Sequence, residues 1–186
     1  MTQPQSAEGK TRVINPRLLW LLCAFAAGVI LIDQITKSVV VATMTEGESI
    51  PVIPNVFNVI FVRNPGAAFS MAAGQTWIFS ILAAVVTGVI VYFARQIHSR
   101  AWAVVFGLIL GGTLGNLADR LFRQPGFGVG EVIDFLNLPW LMPAIFNVAD
   151  IAITAAAISF ILLLLLGIGL DGKRQRREPQ VPHGDA

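Results

Sequence analysis

Leu18-Leu-Trp-Leu-Leu-Cys-Ala-Phe-Ala-Ala-Gly-Val-Ile-Leu-Ile-Asp33-Gln-Ile-Thr-Lys37-Ser-Val-Val-Val41 is the stretch from which the fold is read. No charge interrupts it from Leu18 to Ile32, and then an acid and a base, Asp33 and Lys37, follow four residues apart. A helix rising about 1.5 Å per residue crosses a hydrocarbon core of about 30 Å in roughly 20 residues. The stretch meets that length, so it is a transmembrane span. Asp33 then lies roughly 22 Å beyond Leu18, past the midplane.

Three further apolar runs follow, at about Trp77–Ala94, Ala101–Leu117 and Val148–Leu170. The chain is 55% hydrophobic and 13% charged, and a soluble domain would need far more polar surface than that. The expected architecture is an integral membrane protein, mainly α, with four transmembrane helices. Residues 1–16 read as a polar cytoplasmic tail, 17–170 as the membrane domain and 171–186 as a basic cytoplasmic tail. The first run is expected to be retained, because it continues well past the Ala24-Phe25-Ala26 triplet that could mark a cleavage site. Cys23 lies inside it and reads as a small buried hydrophobe.

Orientation follows from the cations. With the N-terminus inside, the inner side holds Lys10, Arg12, Arg17, Arg95, Arg100, Lys173, Arg174, Arg176 and Arg177. The outer loops hold Arg63, Arg120 and Arg123, with Lys37 near the boundary. That bias places both termini in the cytoplasm. The net charge of +2 resides largely in the tails, so anionic membrane lipid is the expected partner and nucleic acid is not. The outer segment 50–63 is rich in β-branched and aromatic residues and favours strands. In the long loop 118–147, the apolar patch from Val132 to Met142 is expected to lie over the membrane face as a short amphipathic element.

This topology gathers Asp33, Asp119, Asp134 and Asp150 at one depth near the outer interface. Ionisable groups at such depths are costly and mark function by default. Asp33 and Lys37 share a helix face and either neutralise one another or take part in chemistry. Asp119, with Asn116, Arg120 and Arg123 nearby, reads as a helix-end polar network. Asp134 and Asp150 have no Lys or Arg within five residues and sit among apolar neighbours. Burial without a local cation raises a carboxyl pKa, and two such carboxyls brought together can share one proton. One can then activate water while the other polarises a carbonyl, which is aspartic-protease chemistry and needs no metal or cofactor. His98 and His183 fall on the inner side, and no metal-ligand spacing appears.

Five ordered blocks resemble the lipoprotein signal peptidase (signal peptidase II) family. They are Asp33-Gln-Ile-Thr-Lys37, Arg63-Asn-Pro-Gly-Ala-Ala-Phe-Ser70, Gly115-Asn-Leu-Ala-Asp-Arg120, Val132-Ile-Asp-Phe135 and Phe146-Asn-Val-Ala-Asp150. The resemblance implies Asp134 and Asp150 as a catalytic dyad. It implies Asp33, Lys37, Asn64, Gly66, Asn116, Asp119, Arg120 and Asn147 as supporting residues, of which Asn64, Asn116, Arg120 and Asn147 line the site. It further implies a small extracytoplasmic β-sheet, a bacterial cytoplasmic membrane, a monomer, and hydrolysis of prolipoproteins just before their diacylglyceryl-modified cysteine. Pro65 departs from the family, which more often has Thr there. The Asp119–Asp134 interval is longer than in many members. A small proton-coupled carrier, its acids relaying protons, is the alternative from another class; four spans without an inverted repeat argue against it.

Overall fold

A computed structural model describes residues 15–66 and 76–174. The blocks' Ala67–Ser70 portion and most of both tails lie outside the described residues. Four helices, α1 (Pro16–Thr43), α2 (Thr76–Ala94), α3 (Arg100–Phe122) and α4 (Val148–Leu165), are each long and apolar enough to cross a membrane. Asn15 caps α1 by accepting from the Arg17 N–H, and Pro16 occupies its first turn, where a missing N–H costs nothing. Large apolar side chains such as Leu31, Tyr92 and Leu165 point outward from the bundle. Such an outward face suits a lipid surrounding.

Helix α3 is the hub, packed against α1, α2 and α4. Its glycines set the spacing. A Cβ on Gly107 or Gly111 would stand 2.7 Å from the main-chain oxygen of Leu22 or Ala26 in α1, and one on Gly112 would stand 2.6 Å from that of Ala149 in α4. The third span's glycines therefore seat the protein's own helices. At the other end of α3, Trp102 is buried with Leu18, Leu22 and Ile97.

Between the helices runs a four-stranded antiparallel sheet in sequential order: β1 (Ser49–Ile53), β2 (Phe57–Asn64), β3 (Val132–Asn137) and β4 (Ile145–Phe146). The first two strands fall where composition favoured them. The first half of the Val132–Met142 patch is a strand, β3, paired on both edges. Both faces of this strand are buried. Ile133 and Phe135 pack with Val40 and Phe61 over the end of α1, while Asp134 and Val132 are buried on the opposite face. Leu138–Met142 beyond the strand remains exposed at Trp140 and Leu141.

Two span ends differ from expectation. Helix α3 continues past Leu117 to Phe122, because Asp119 is neutralised inside the bundle and need not terminate the helix. Helix α4 stops at Leu165 instead of Leu170: Gly167 adopts φ +68° and the N–H of Ile168 turns back to the carbonyl of Leu163, a glycine stop that hydropathy does not register. Cys23 is exposed, not buried, because Leu18, Leu22 and Ala26 take the inner face of α1.

Candidate active site

The acids meet where α1, α3, β3 and the start of α4 converge. Lys37 Nζ stands 2.8 Å from Asp33 Oδ2 and 2.8 Å from Asp119 Oδ2, and all three side chains are fully buried. Its third donor goes to Asn116 Oδ1 at 2.8 Å, so the ammonium is saturated. Asp33 Oδ1 accepts from the Ala149 N–H at 3.0 Å, tying α1 to the first turn of α4. Asp119 also accepts from Arg123 Nε and from the Ile133 N–H at 3.3 Å, tying α3 to β3. A buried ion cluster of this kind contributes little net stability but fixes geometry, since removing one member strands the others.

From this cluster the polarity passes to asparagines. Each has its carbonyl oxygen occupied by a group that can only donate, so its amide nitrogen must face the other way. Lys37 holds Asn116 Oδ1, and Asn116 Nδ2 donates to Asp150 Oδ1 at 2.9 Å. The Gly66 N–H holds Asn64 Oδ1, and Asn64 Nδ2 donates to Asp134 Oδ2 at 2.8 Å. The Asp150 N–H holds Asn147 Oδ1, and Asn147 Nδ2 donates to Asp134 Oδ1 at 2.7 Å. Asn147 and Asp150 together form the capping box that starts α4, with Asp150 Oδ2 accepting from the Asn147 N–H at 3.1 Å. Asn147 therefore touches both carboxyls.

Asp134 and Asp150 thus differ from Asp33 and Asp119. Neutral amides hold them, and among the described residues no Lys or Arg forms an ion pair with either. Burial, aided by the nearby Asp150 charge, raises the Asp134 carboxyl to about 6 against the pull of the Asn64 and Asn147 donors. Asp150 is less enclosed. It borders an apolar cavity of about 420 Å³ that runs along α4 past Ile151, Thr154 and Ile158 beneath Leu138 and Met142.

Arg120 parts from the network drawn for it in the sequence. Arg123 takes the ion pair with Asp119, whereas the Arg120 guanidinium lies 5.1 Å from the ring centroid of Phe79. Its Nη1 is buried without a partner among the described residues, within electrostatic reach of Asp134, Asp119 and Asp150. Asn116 likewise serves Lys37 and Asp150, not Asp119. Gln34 was missed: its amide donates to Gly115 O at 3.0 Å and to Asp119 Oδ1 at 3.2 Å. Its place between Asp33 and Lys37 was the available signal. Phe79 gave none, being one aromatic in an apolar run.

Fold and site together define a polytopic membrane enzyme with a polar centre at one end of its helix bundle. A solved structure described as a bacterial membrane enzyme aligns over 90% of this chain and 98% of its own, with a TM-score of 0.71 and 29% identity. Residues 25–166 match the family described as Signal peptidase (SPase) II. A lipoprotein signal peptidase of Leifsonia xyli subsp. xyli is 55% identical over 86% of this chain and 74% of its own length. One of Mycobacterium avium is 41% identical over 94% and 97%. The chain belongs to the signal peptidase II family and is a multi-pass bacterial membrane peptidase.

Proposed function

We propose that this peptidase is of the aspartic type, with Asp134 and Asp150 as its catalytic pair, and that it removes signal peptides from prolipoproteins by hydrolysing the bond before the diacylglyceryl-modified cysteine. The observation that carries the reading is the division of the four acids. Asp33 and Asp119 are neutralised by Lys37 and Arg123, while among the described residues Asp134 and Asp150 are held only by amides and joined through Asn147.

Burial, aided by the neighbouring Asp150 charge, favours the protonated Asp134 carboxyl, which supplies the pair with its one proton. The ionised member takes a proton from water as that water attacks the scissile carbonyl. The protonated member donates towards the carbonyl oxygen, and the tetrahedral intermediate collapses with proton transfer to the leaving nitrogen. Asn64, Asn116 and Asn147 hold the carboxyl oxygens in place through the cycle. The Arg120 Nη1, without a partner among the described residues, is available to a substrate carbonyl. The apolar cavity bordering Asp150 suits a substrate that arrives from within the bilayer.

The cation distribution supports both termini on the cytoplasmic side, with the pair near the extracytoplasmic face and the basic tails beside anionic lipid. The enzyme is expected to act as a monomer. Family and fold lend no support to the carrier reading. The test is purified protein incubated with a diacylglyceryl-modified precursor and with the same precursor unmodified, read by mass. The expected result is two fragments cut before the modified cysteine, from the modified precursor only. Equal cleavage of both, or of neither, contradicts the assignment.

A further inference from the structure

The first turn of α2 belongs to no motif, yet it touches three parts of the site. Among the described residues, α2 buries only Thr76, Ser80 and Ile90, so two of its three buried side chains are hydroxyls at the site end. A hydroxyl in an apolar span is costly unless bonded. Thr76 Oγ1 donates to the Pro65 carbonyl at 2.9 Å, and Ser80 Oγ donates to the Gly128 carbonyl at 2.7 Å. Between them in the same turn lies Phe79. Its ring meets Gly66 so closely that a Cβ there would stand 2.6 Å from Cδ2, and the Arg120 guanidinium lies over the ring, 5.1 Å from its centroid. Residues 76, 79 and 80 share a helix face, so one rigid turn makes all three contacts.

What they hold is the donor set of the pair. Gly66, at φ +91°, gives its N–H to Asn64 Oδ1, and this aims the Asn64 amide at Asp134. The Gly128 carbonyl lies in the loop that enters β3, and the same loop's Gly130 N–H caps the Arg120 carbonyl at 2.9 Å. Arg120 Nη1 has no partner among the described residues, and the ring supports its guanidinium.

We propose that Thr76, Phe79 and Ser80 form a positioning clamp, with the Phe79 ring as its centre, that sets Asn64 and Arg120 for the chemical step. The inference rests on Asp134 and Asp150 being the catalytic pair. Lipid-facing packing alone would be served equally well by a leucine. Positioning requires a flat aromatic ring, over which the guanidinium lies and against which Gly66 packs without a side chain.

The test compares Phe79→Leu, Phe79→Tyr and Thr76→Val/Ser80→Ala with wild type on the diacylglyceryl-modified precursor, alongside melting in detergent. Phe79→Leu should lose about tenfold or more in kcat with KM within about threefold, and Phe79→Tyr should keep wild-type kcat. Unchanged kcat in Phe79→Leu, a change confined to KM, or failure of Phe79→Tyr to rescue overturns the clamp. Should Phe79→Leu not fold, the Thr76→Val/Ser80→Ala variant decides: a several-fold loss of kcat supports the clamp, and wild-type kcat overturns it. Wild-type cleavage with normal turnover by these variants removes only this inference, whereas an inactive wild type, or an active Asp134→Asn, removes the underlying reading.

Discussion

The side-chain amide of Asn147 donates to Asp134 Oδ1 at 2.7 Å, so the residue that caps α4 also orients a carboxyl on a strand of the sheet. Its main-chain N–H simultaneously holds Asp150 Oδ2 at 3.1 Å. One residue thereby couples the start of a membrane helix to the placing of both acids.

Asn147→Ser separates these tasks. Serine keeps a side-chain oxygen for the helix cap but is too short to donate to Asp134. The expected outcome is near-native melting with kcat reduced about 10- to 100-fold, matching the roughly 1.5–3 kcal/mol of a hydrogen bond to a charged group. Asn147→Ala should show the same kinetic loss and an additional stability cost of about 1 kcal/mol.

Asp134 makes a prediction about pH. Its folded carboxyl is raised to about 6 from an ordinary 3.8, chiefly by burial. Folding therefore favours the protonated form, and that contribution is full below pH 3.8 and lost as pH rises through about 6. Asp134→Asn removes the titration. Its melting temperature relative to wild type should rise between pH 4.5 and pH 7.5, within about that range of buffers. A relative fall over the same interval would show the carboxyl to be stabilised as an anion.

Lys37 is the sole cation in contact with Asp33 among the described residues, and it also touches Asp119. Replacing it with Met leaves buried carboxylates uncompensated, at a cost of about 3–5 kcal/mol. Thermal unfolding of Lys37→Met in detergent should show a large drop. The double change Asp33→Asn/Lys37→Met should recover part of it.

Two glycines distinguish close packing from mere helix propensity. A Cβ on Gly115 would stand 2.7 Å from Asp33 Oδ2, whereas one on Gly88 meets nothing within 4 Å. Gly115→Ala should destabilise by about 1–3 kcal/mol through overpacking. Gly88→Ala should be neutral or gain up to about 1 kcal/mol from propensity. Equal behaviour of the two in thermal melting would count against the tight α1–α3 seam.

The four spans were legible because a bilayer demands long apolar runs, and the acids gathered at one level because lipid makes each one costly. Asp134 and Asp150 stood out through their lack of local cations, a property visible in one dimension. Strand β3 was not legible, because its burial on both faces erases the polar alternation that marks a strand. Nor was the end of α4, where a left-handed glycine acts inside an unbroken apolar run. Arg120 and Arg123 are three residues apart, and sequence alone does not say which of them turns to Asp119 and which to Phe79.

The most direct test of the central claim is the single-turnover rate of Asp134→Asn and Asp150→Asn on a diacylglyceryl-modified precursor, with insertion and melting checked in parallel. Each variant should remain folded and inserted while cleavage falls by about 10²-fold or more, as expected when an acid–base group is removed. Wild-type cleavage by either variant would contradict the pairing of these two acids.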